Sequence, residues 1–371
     1  MEMKDQNPEF RSPEVMMPDS TVQPPPPEMS ELVPGATATL PPGKHETEVQ
    51  REEKSRTPLQ ESIQRLRRDK RAMVSLGFIM FLVVLVIIGP FIYHHIGGAY
   101  QSALNGTVGP DQYHSFSHEE IDRQDELPSG QYWLGTDSLG RDMLARLMQG
   151  ILISVTVAVL VEVIDIVLGV LIGVLAGYYG GWIDQVLARF TDIMFAFPGL
   201  LFLILVSGIL GAWADRTLDK VPVLGANGNA RLMLVMLALA FTIWPLMARY
   251  VRGQTLQLKE QQFVEAARTS GSSDAHIILS HIVPNLFSIV VIASTLNISN
   301  TIIAEAGISY LGLGVRPPGS SVGLMISDAT GSLRTHPWEL LVPLVTLILI
   351  VLAFSFLGDG IRDAFDPRSK D

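Results

Sequence analysis

Cysteine is absent from this 371-residue chain, and charged side chains are scarce, at 17% of all residues. The missing cysteine excludes disulfides, thiolate nucleophiles and cysteine-ligated metal sites. Hydrophobic residues make up 48%, so a globule of this size would have too few polar side chains to cover a surface in water. The mean hydropathy of +0.31 points the same way. The composition therefore indicates an integral membrane protein.

A phosphate-binding loop is missing as well. Gly43-Lys44 is followed by His45 and lacks the upstream glycine at the spacing that a phosphate cradle needs. Any work driven by ATP must therefore rely on hydrolysis by another chain, and we predict no catalytic residue and no cofactor here. The net charge of −10 resides mainly in residues 1–60 and 97–150, each of which carries five more acidic than basic side chains. Such acidity argues against nucleic-acid binding.

Six apolar blocks have the length that a bilayer demands, about 20 residues for a hydrocarbon core of about 30 Å. They cover residues 75–94, 151–176, 186–212, 232–251, 286–312 and 339–358. The prediction is an all-α polytopic membrane protein with six transmembrane helices. Prolines at 198, 245 and 343 fall inside these blocks and one at 90 falls near an end; each is expected to kink its helix, which a packed bundle tolerates.

The basic residues set the expected orientation. Five of them lie between residues 65 and 71, directly before the first block, while the acidic loop 97–150 follows it. This asymmetry predicts a cytoplasmic N-terminus, an extracytoplasmic loop 97–150 and, after six crossings, a cytoplasmic C-terminus. Residues 1–64 carry 11 of the chain's 23 prolines and few large apolar side chains, so we expect a disordered tail ahead of a transmembrane domain at 65–371.

The segment 253–285 lies between the fourth and fifth blocks and is predicted to be cytoplasmic. Residues 256–270 read as a helix, Gly271 suits the position just past its end, and Ser272 or Ser273 suits the cap of a second helix that Pro284 would stop. A short helix that presents small alanines can press closely against a partner. From the residues alone, a force-transmitting element and an ordinary amphipathic connector both remain open.

Four strings in this chain match a known family in order and spacing. The first is Glu265-Ala266-Ala267 followed after three residues by Gly271, which resembles the EAA signature of ABC importer permeases. The others are LGTDSLGRD at 134–142, SYLGLG at 309–314, and LGDGIRD at 357–363 with DPR at 366–368. Together they resemble the dipeptide and oligopeptide permease family, specifically the second of its two permease subunits.

The resemblance implies a six-helix ABC importer permease in the bacterial inner membrane. It implies a heterodimer with a second permease, two ATPase chains that bind ATP and Mg, an extracytoplasmic binding protein and a peptide substrate. It also implies that Glu265, Ala266, Ala267 and Gly271 couple the chain to the ATPase. Nickel, glutathione and antimicrobial peptides are the alternative cargoes. A proton-coupled secondary transporter and a membrane scaffold that recruits partners through the tail are alternatives of a different class.

Glu162 and Asp165 lie near the middle of the second block, where a charge costs about 2.5 to 3.5 kcal/mol on insertion scales. They share a helix face with a stripe of small residues at Gly169, Gly173 and Gly177, so they should face protein or water and not lipid. Three hypotheses remain open: they line the translocation path, they form a structural pair, or, in a secondary transporter, they relay protons.

The fifth block carries a second polar stripe. Asn297, Thr301 and Glu305 fall on one helix face with Asn300 beside it. Polar groups on one stripe of a membrane helix usually face the interior of the bundle. We therefore predict that these four residues belong to the translocation path or to hydrogen bonds between helices.

Further polar residues precede the second block. Asp137 or Ser138 is predicted to cap an interfacial helix on which Asp142 and Arg146 form a pair at i,i+4, and Arg141 is a candidate ligand contact. Two histidine pairs also lie in this part of the chain: residues 114 and 118, whose spacing suits a metal on a helix, and residues 94 and 95 at a membrane edge. The segment of the first pair is polar and weakly helical, so no metal site is predicted.

Overall fold

The computed structural model describes residues 58–217 and 229–365. Its helices are α1 (Pro58–Arg68), α2 (Lys70–Tyr93), α3 (Pro110–Tyr113), α4 (Met143–Tyr179), α5 (Gly181–Ala196), α6 (Gly199–Thr217), α7 (Asn229–Leu258), α8 (Gln262–Thr269), α9 (Asp274–Ile277), α10 (Val283–Tyr310), α11 (Val322–Ala329) and α12 (Pro337–Phe365). Strands β1 (Tyr100–Ser102) and β2 (Gly106–Val108) form one antiparallel hairpin. Most of the predicted tail, residues 1–57, and the DPR string at 366–368 lie outside the described residues.

Within the described ranges, six helical segments are long and apolar enough to cross a membrane, which confirms the predicted number. They are α2, α4, α6, α7, the continuous segment Asp274–Tyr310 that ends in α10, and α12. Their outward surfaces carry large apolar side chains such as Phe81, Phe91 and Leu201. A protein that presents such side chains on its outer face is matched to lipid and not to water.

Two differences from the prediction change which elements are present. The third block, 186–212, is two helices, because α5 ends at Ala196 and α6 begins at Gly199. Pro198 forces the residue before it out of the helical region, and Phe197 is extended, with ψ at 127°. At the other boundary, α1 already begins at Pro58, so residues 58–64, assigned to the tail, are helical. The prolines at 90, 245 and 343 lie within α2, α7 and α12, as predicted.

In the described ranges the most extensive contact between two helices is α4 against α7, and the small-residue stripe explains it. A Cβ atom at Gly173 would lie 2.6 Å from the carbonyl oxygen of Ala248. A Cβ atom at Gly177 would lie 2.6 Å from Cβ of Thr255. Only glycine lets the two backbones approach this closely, so the predicted packing face is confirmed.

The long connection between α2 and α4 forms a folded layer at one end of the bundle, the hairpin end. It carries the β1–β2 hairpin and a buried carboxylate, Glu120, which accepts hydrogen bonds from Ser102 Oγ at 2.7 Å and Asn105 Nδ2 at 3.1 Å. Burial works to raise the pKa of Glu120, but these bonds and nearby His118 outweigh it and lower that pKa. The carboxylate therefore stabilises the layer at neutral pH, and this stabilisation is lost as the pH falls through the lowered pKa.

Candidate functional site

The predicted coupling segment lies at the end of the bundle opposite the hairpin. Helix α8 closes with a two-bond turn in which Gly271 N donates to Arg268 O at 3.0 Å and Ser272 N donates to Ala267 O at 3.1 Å. Gly271 has φ at +80°, a conformation that side chains with a Cβ rarely adopt. Ser273 then caps α9 by accepting a bond from the backbone of His276. The predicted turn and second cap are confirmed.

Two details of this segment were predicted wrongly. The first helix is not continuous over 256–270, because α7 runs on to Leu258 and a short turn separates it from α8. Pro284 does not stop the second helix either. A π-helical turn at Ile278–Ile282 joins α9 to α10, and Pro284 sits in the first turn of α10, where a missing N–H costs little. The segment after Gly271 is therefore helical all the way into a membrane span.

Helix α8 has one anchored face and one open face. Val264 is fully buried in a cluster with Val251 of α7, Ile277 of α9 and Leu286 of α10. Glu265 is exposed, as are several neighbours on the open side: Phe263, Ala266, Thr269 and Leu279. A force applied to the open face would pass through Val264 into α7 and α10.

Polar bonds tie the same end of the bundle together. Tyr178 of α4 donates a hydrogen bond to Asp274 at the start of α9 at 2.7 Å. Arg252 of α7 binds both carboxylate oxygens of Asp184 in α5, at 2.5 and 2.8 Å. These bonds from Arg252 hold the pKa of the Asp184 carboxyl below its usual range. The segment is thus linked to α4, while α5 is linked to α7.

Glu162 and Asp165 lie inside the protein, with exposed fractions of 4% and 0%. Asp165 Oδ2 accepts a bond from Asn297 of α10 at 3.2 Å. Among the described residues, Asp165 Oδ1 and both carboxyl oxygens of Glu162 are buried without a hydrogen-bond partner. The prediction that both residues avoid lipid is confirmed, and the structure brings this pair together with one residue of the polar stripe on α10.

The remaining residues of that stripe differ in their exposure. Thr301 and Glu305 are fully buried, and Glu305 accepts bonds from Ser154 of α4 at 2.6 Å and from Ser309 at 2.7 Å. Asn300, in contrast, is exposed on the surface of α10. Asn297, Thr301 and Glu305 therefore face α4 and the interior, whereas Asn300 faces away from this chain.

Neutralising a buried carboxyl should affect Tm differently according to whether its oxygens have hydrogen-bond partners. We expect the double variant Glu162→Gln, Asp165→Asn to keep uptake within about twofold and to melt no lower than wild type. Three of the four carboxyl oxygens in this pair lack donors, and the amide oxygen of an asparagine at 165 can still accept the bond from Asn297. Glu305→Gln is the matched control and should lower Tm, since a buried acceptor of two serine bonds is disturbed. Thermal unfolding and vesicle uptake measure both. A tenfold loss of uptake in the double variant, with Tm intact, would instead place the pair in the path.

The LGTDSLGRD string forms a buried ion cluster that sequence reasoning missed. Asp137 accepts hydrogen bonds from Arg141 Nε at 2.8 Å and from Arg146. Asp328 of α11 binds both arginines, at 3.1 and 2.8 Å. The predicted Asp142–Arg146 pair is therefore wrong, and Arg141 is engaged within the protein. Asp328 lies 187 residues from Arg141 and 182 residues from Arg146 along the chain, so no local pattern predicts these contacts. The match of the LGTDSLGRD string to a family was the signal that drew attention to this region.

Asp142 has two other roles. It caps α4 by accepting bonds from the backbone of Leu144 and Ala145, so the predicted cap at Asp137 or Ser138 was placed too early, and α4 is one helix from Met143 onward. Its second oxygen pairs with His114 Nδ1 at 2.6 Å.

The other ring nitrogen of His114 contacts the carbonyl oxygen of Ile96 at 3.1 Å. Helix α3 ends at Tyr113, so His114 and His118 do not share a helix face. The imidazole of His114 holds the layer to α4 and has no nitrogen left for a metal.

Known proteins match this chain over most of its length. Residues 169–371 match the family described as binding-protein-dependent transport system inner membrane component, and residues 57–104 match the N-terminal transmembrane domain of oligopeptide transport permease C. The glutathione transport system permease protein GsiD of Salmonella typhimurium is 37% identical, over 88% of this chain and 96% of the relative. GsiD of Escherichia coli is also 37% identical, over 85% and 92%.

Among solved structures, the inward-facing MetNI methionine ABC transporter aligns with a TM-score of 0.47 and 20% identity. The alignment covers 60% of this chain and 98% of that chain.

Proposed function

Because this chain belongs to the family of binding-protein-dependent transport system inner membrane components and is the permease subunit of a peptide-type ABC importer, we propose that it imports short peptides as half of a heterodimeric translocation path. It is a transport component of a multi-pass inner membrane assembly. Because the chain belongs to this family, we do not propose that it is a proton-coupled secondary transporter or a membrane scaffold.

Helix α8 is the proposed docking element for the ATPase, with Glu265, Ala266, Ala267 and Gly271 as its coupling residues. The observation that supports this most is the division of α8 into an anchored and an open face. Val264 fills the space between α7, α9 and α10, while Glu265 and Ala266 remain uncovered in this chain. ATP and Mg would bind to the partner chains, and closure of those chains would push α8 and so move two spans at once.

The exposed Asn300 supports a second permease on the same face of α10. It lies in the middle of a membrane span, where contact between a polar amide and lipid is unfavourable. We propose that this face is covered by the partner permease or lines the shared path, with Asn297 beside it. For the buried candidates we propose a structural role in place of a path-lining one. Asp165 and Glu305 join α4 to α10 through Asn297 and Ser154, and Glu162 and Thr301 are buried.

The proposed orientation places α8 in the cytoplasm and the hairpin end outside the cell, where the binding protein would deliver its cargo. Exposed apolar side chains at that end offer a contact surface: Leu104, Leu127 and Trp133. This orientation is required by the coupling proposal, since ATPase chains work in the cytoplasm.

The proposed cargo is a peptide of a few residues. The GsiD relatives are glutathione permeases, and glutathione is itself a tripeptide. The test is uptake into vesicles that hold the full complex with its two ATPases and binding protein. We expect saturable, ATP-dependent uptake of di- and tripeptides or glutathione. Uptake of nickel ions alone, or uptake that follows a proton gradient without ATP, would contradict the proposal.

A further inference from the structure

Three potential metal ligands from two distant segments meet at the hairpin end. Asp125 belongs to the long loop after α2, whereas His336 and Glu339 stand at the start of α12. His336 Nδ1 lies 3.6 Å from Asp125 Oδ2 and 3.9 Å from Glu339 Oε1. One ligand atom from each of the three residues lies within 4.8 Å of the other two. This cluster is separate from the coupling segment and from the polar stripe on α10.

The Glu339 carboxylate lacks the partners that its burial calls for. The side chain is 2% exposed, and Oε1, the atom that points at His336, has no hydrogen-bond partner in the part of the chain that the structure describes. Within those ranges His336 is also the one basic side chain within 4.0 Å of this carboxylate. A buried carboxylate oxygen without a donor is costly, and a bound cation would remove that cost.

Neighbouring arginines do not neutralise the Glu339 carboxylate. Arg141 and Arg146 are the nearby buried cations, and both are bound to Asp137 and Asp328. Asp125 also keeps a buried oxygen, Oδ1, without a partner within the described ranges. The cluster therefore combines two carboxylates and one imidazole with no fixed positive charge of its own.

We propose that Asp125, His336 and Glu339 bind a divalent cation of the zinc type. One imidazole nitrogen and two carboxylate oxygens form a ligand set that zinc accepts, with a fourth position open to water. Bond lengths of about 2.0 to 2.2 Å in tetrahedral geometry place ligand atoms about 3.4 Å apart. The observed 3.6 and 3.9 Å differ from that by a few tenths of an ångström, a distance that small side-chain rotations cover. Magnesium and calcium prefer six or more oxygen ligands and fit less well.

Such an ion would join three parts of the hairpin end. Asp125 holds its place through a backbone bond from its N–H to the carbonyl oxygen of Asp137, at 3.1 Å, and it adopts φ of +51°, which is unusual for a residue other than glycine. Asp137 in turn binds Arg146 of α4. The cation would thus tie the loop and α4 to the first turn of α12. Sequence reasoning missed this cluster because its ligands come from segments that lie far apart in the chain.

The test is zinc binding by the purified full-length permease in nanodiscs after treatment with a chelator. Titration calorimetry with ZnCl₂ should show one saturable site, and thermal unfolding should show a higher Tm with zinc. His336→Ala and Asp125→Asn should each weaken binding by at least about tenfold and abolish the rise in Tm. Both residues are partly exposed, so these variants should fold. His118→Ala, which alters another histidine beside a carboxylate of the same layer, is the control and should bind zinc as wild type does.

Three results would overturn the site: no saturable binding by wild type, equal binding by His336→Ala, or complete displacement of zinc by millimolar magnesium. A Tm that does not change when zinc is added would likewise contradict it. These readouts do not depend on transport, so they are independent of the proposed function.

Discussion

Replacing Gly271 with valine should uncouple transport from ATP hydrolysis. A β-branched residue at φ of +80° is strained by about 1 to 2 kcal/mol, and relief of that strain would break the two bonds that close α8. Helix α8 would then lose the fixed position that the proposed contact with the ATPase requires. We expect peptide uptake to fall about tenfold or more while hydrolysis by the ATPase chains continues without stimulation by the loaded binding protein. Reconstituted vesicles allow both rates to be measured on one sample.

A matched substitution at the same position separates the effect of the positive φ angle from the effect of adding any side chain. Asparagine tolerates positive φ better than other residues with side chains, so Gly271→Asn should keep most of the uptake. Glu265→Lys, on the open face of α8, should reproduce the uncoupling without altering the fold of the segment. Normal uptake together with normal stimulation in Gly271→Val would refute the coupling role of α8.

Neutralising Asp137 should destabilise the protein severely. Arg141 and Arg146 are 4% and 2% exposed, and Asp137 binds both. The variant Asp137→Asn leaves two buried guanidinium groups to share Asp328, and removal of one partner from a buried ion pair typically costs about 3 to 5 kcal/mol. For a domain of this size the expected fall in Tm is on the order of 10 °C. Thermal unfolding of the purified chain measures it.

Two further variants test whether unpaired buried charge causes the loss of stability in Asp137→Asn. Asp111→Asn removes an exposed carboxylate of the same layer and should leave Tm unchanged. Adding Arg146→Met to Asp137→Asn should recover part of the lost stability, because one unpaired charge is removed with its partner. A Tm of Asp137→Asn equal to that of wild type would show that Asp328 alone satisfies both arginines.

Local signals in the sequence predicted several local features of this protein correctly. Gly271 and Ser273 act within four residues of themselves, and the structure has the turn and the cap that these residue types favour. The small-residue stripe through Gly173 likewise predicted a close contact with another helix, but it did not identify α7 as that helix. Hydrophobic length was enough to count the spans.

Other predictions failed where a distant residue or a local backbone restriction decides the outcome. Arg146 binds Asp328 and not its helical neighbour Asp142, because Asp142 is used as a cap and as the partner of His114. Pro198 ends a helix where the apolar run continues, since backbone geometry there outweighs hydropathy. Asn300 shares a sequence pattern with Thr301 yet faces the other way. The partner of Arg146 and the direction of Asn300 cannot be predicted without the neighbouring helices.

The coupling role of α8 requires that this helix lie in the cytoplasm beneath the ATPase, and the absence of cysteine makes that placement directly testable. Single thiols are placed at Ala266, on the open face of α8, and at Leu104, in the exposed turn of the hairpin, and are probed with a membrane-impermeant maleimide. The thiol at 104 should react in intact cells and the thiol at 266 should not. In inverted vesicles the thiol at 266 should react when the ATPase chains are missing and be protected when they are present. Labelling of residue 266 from outside the cell, or labelling that the ATPase chains do not change, would contradict both the placement and the coupling role.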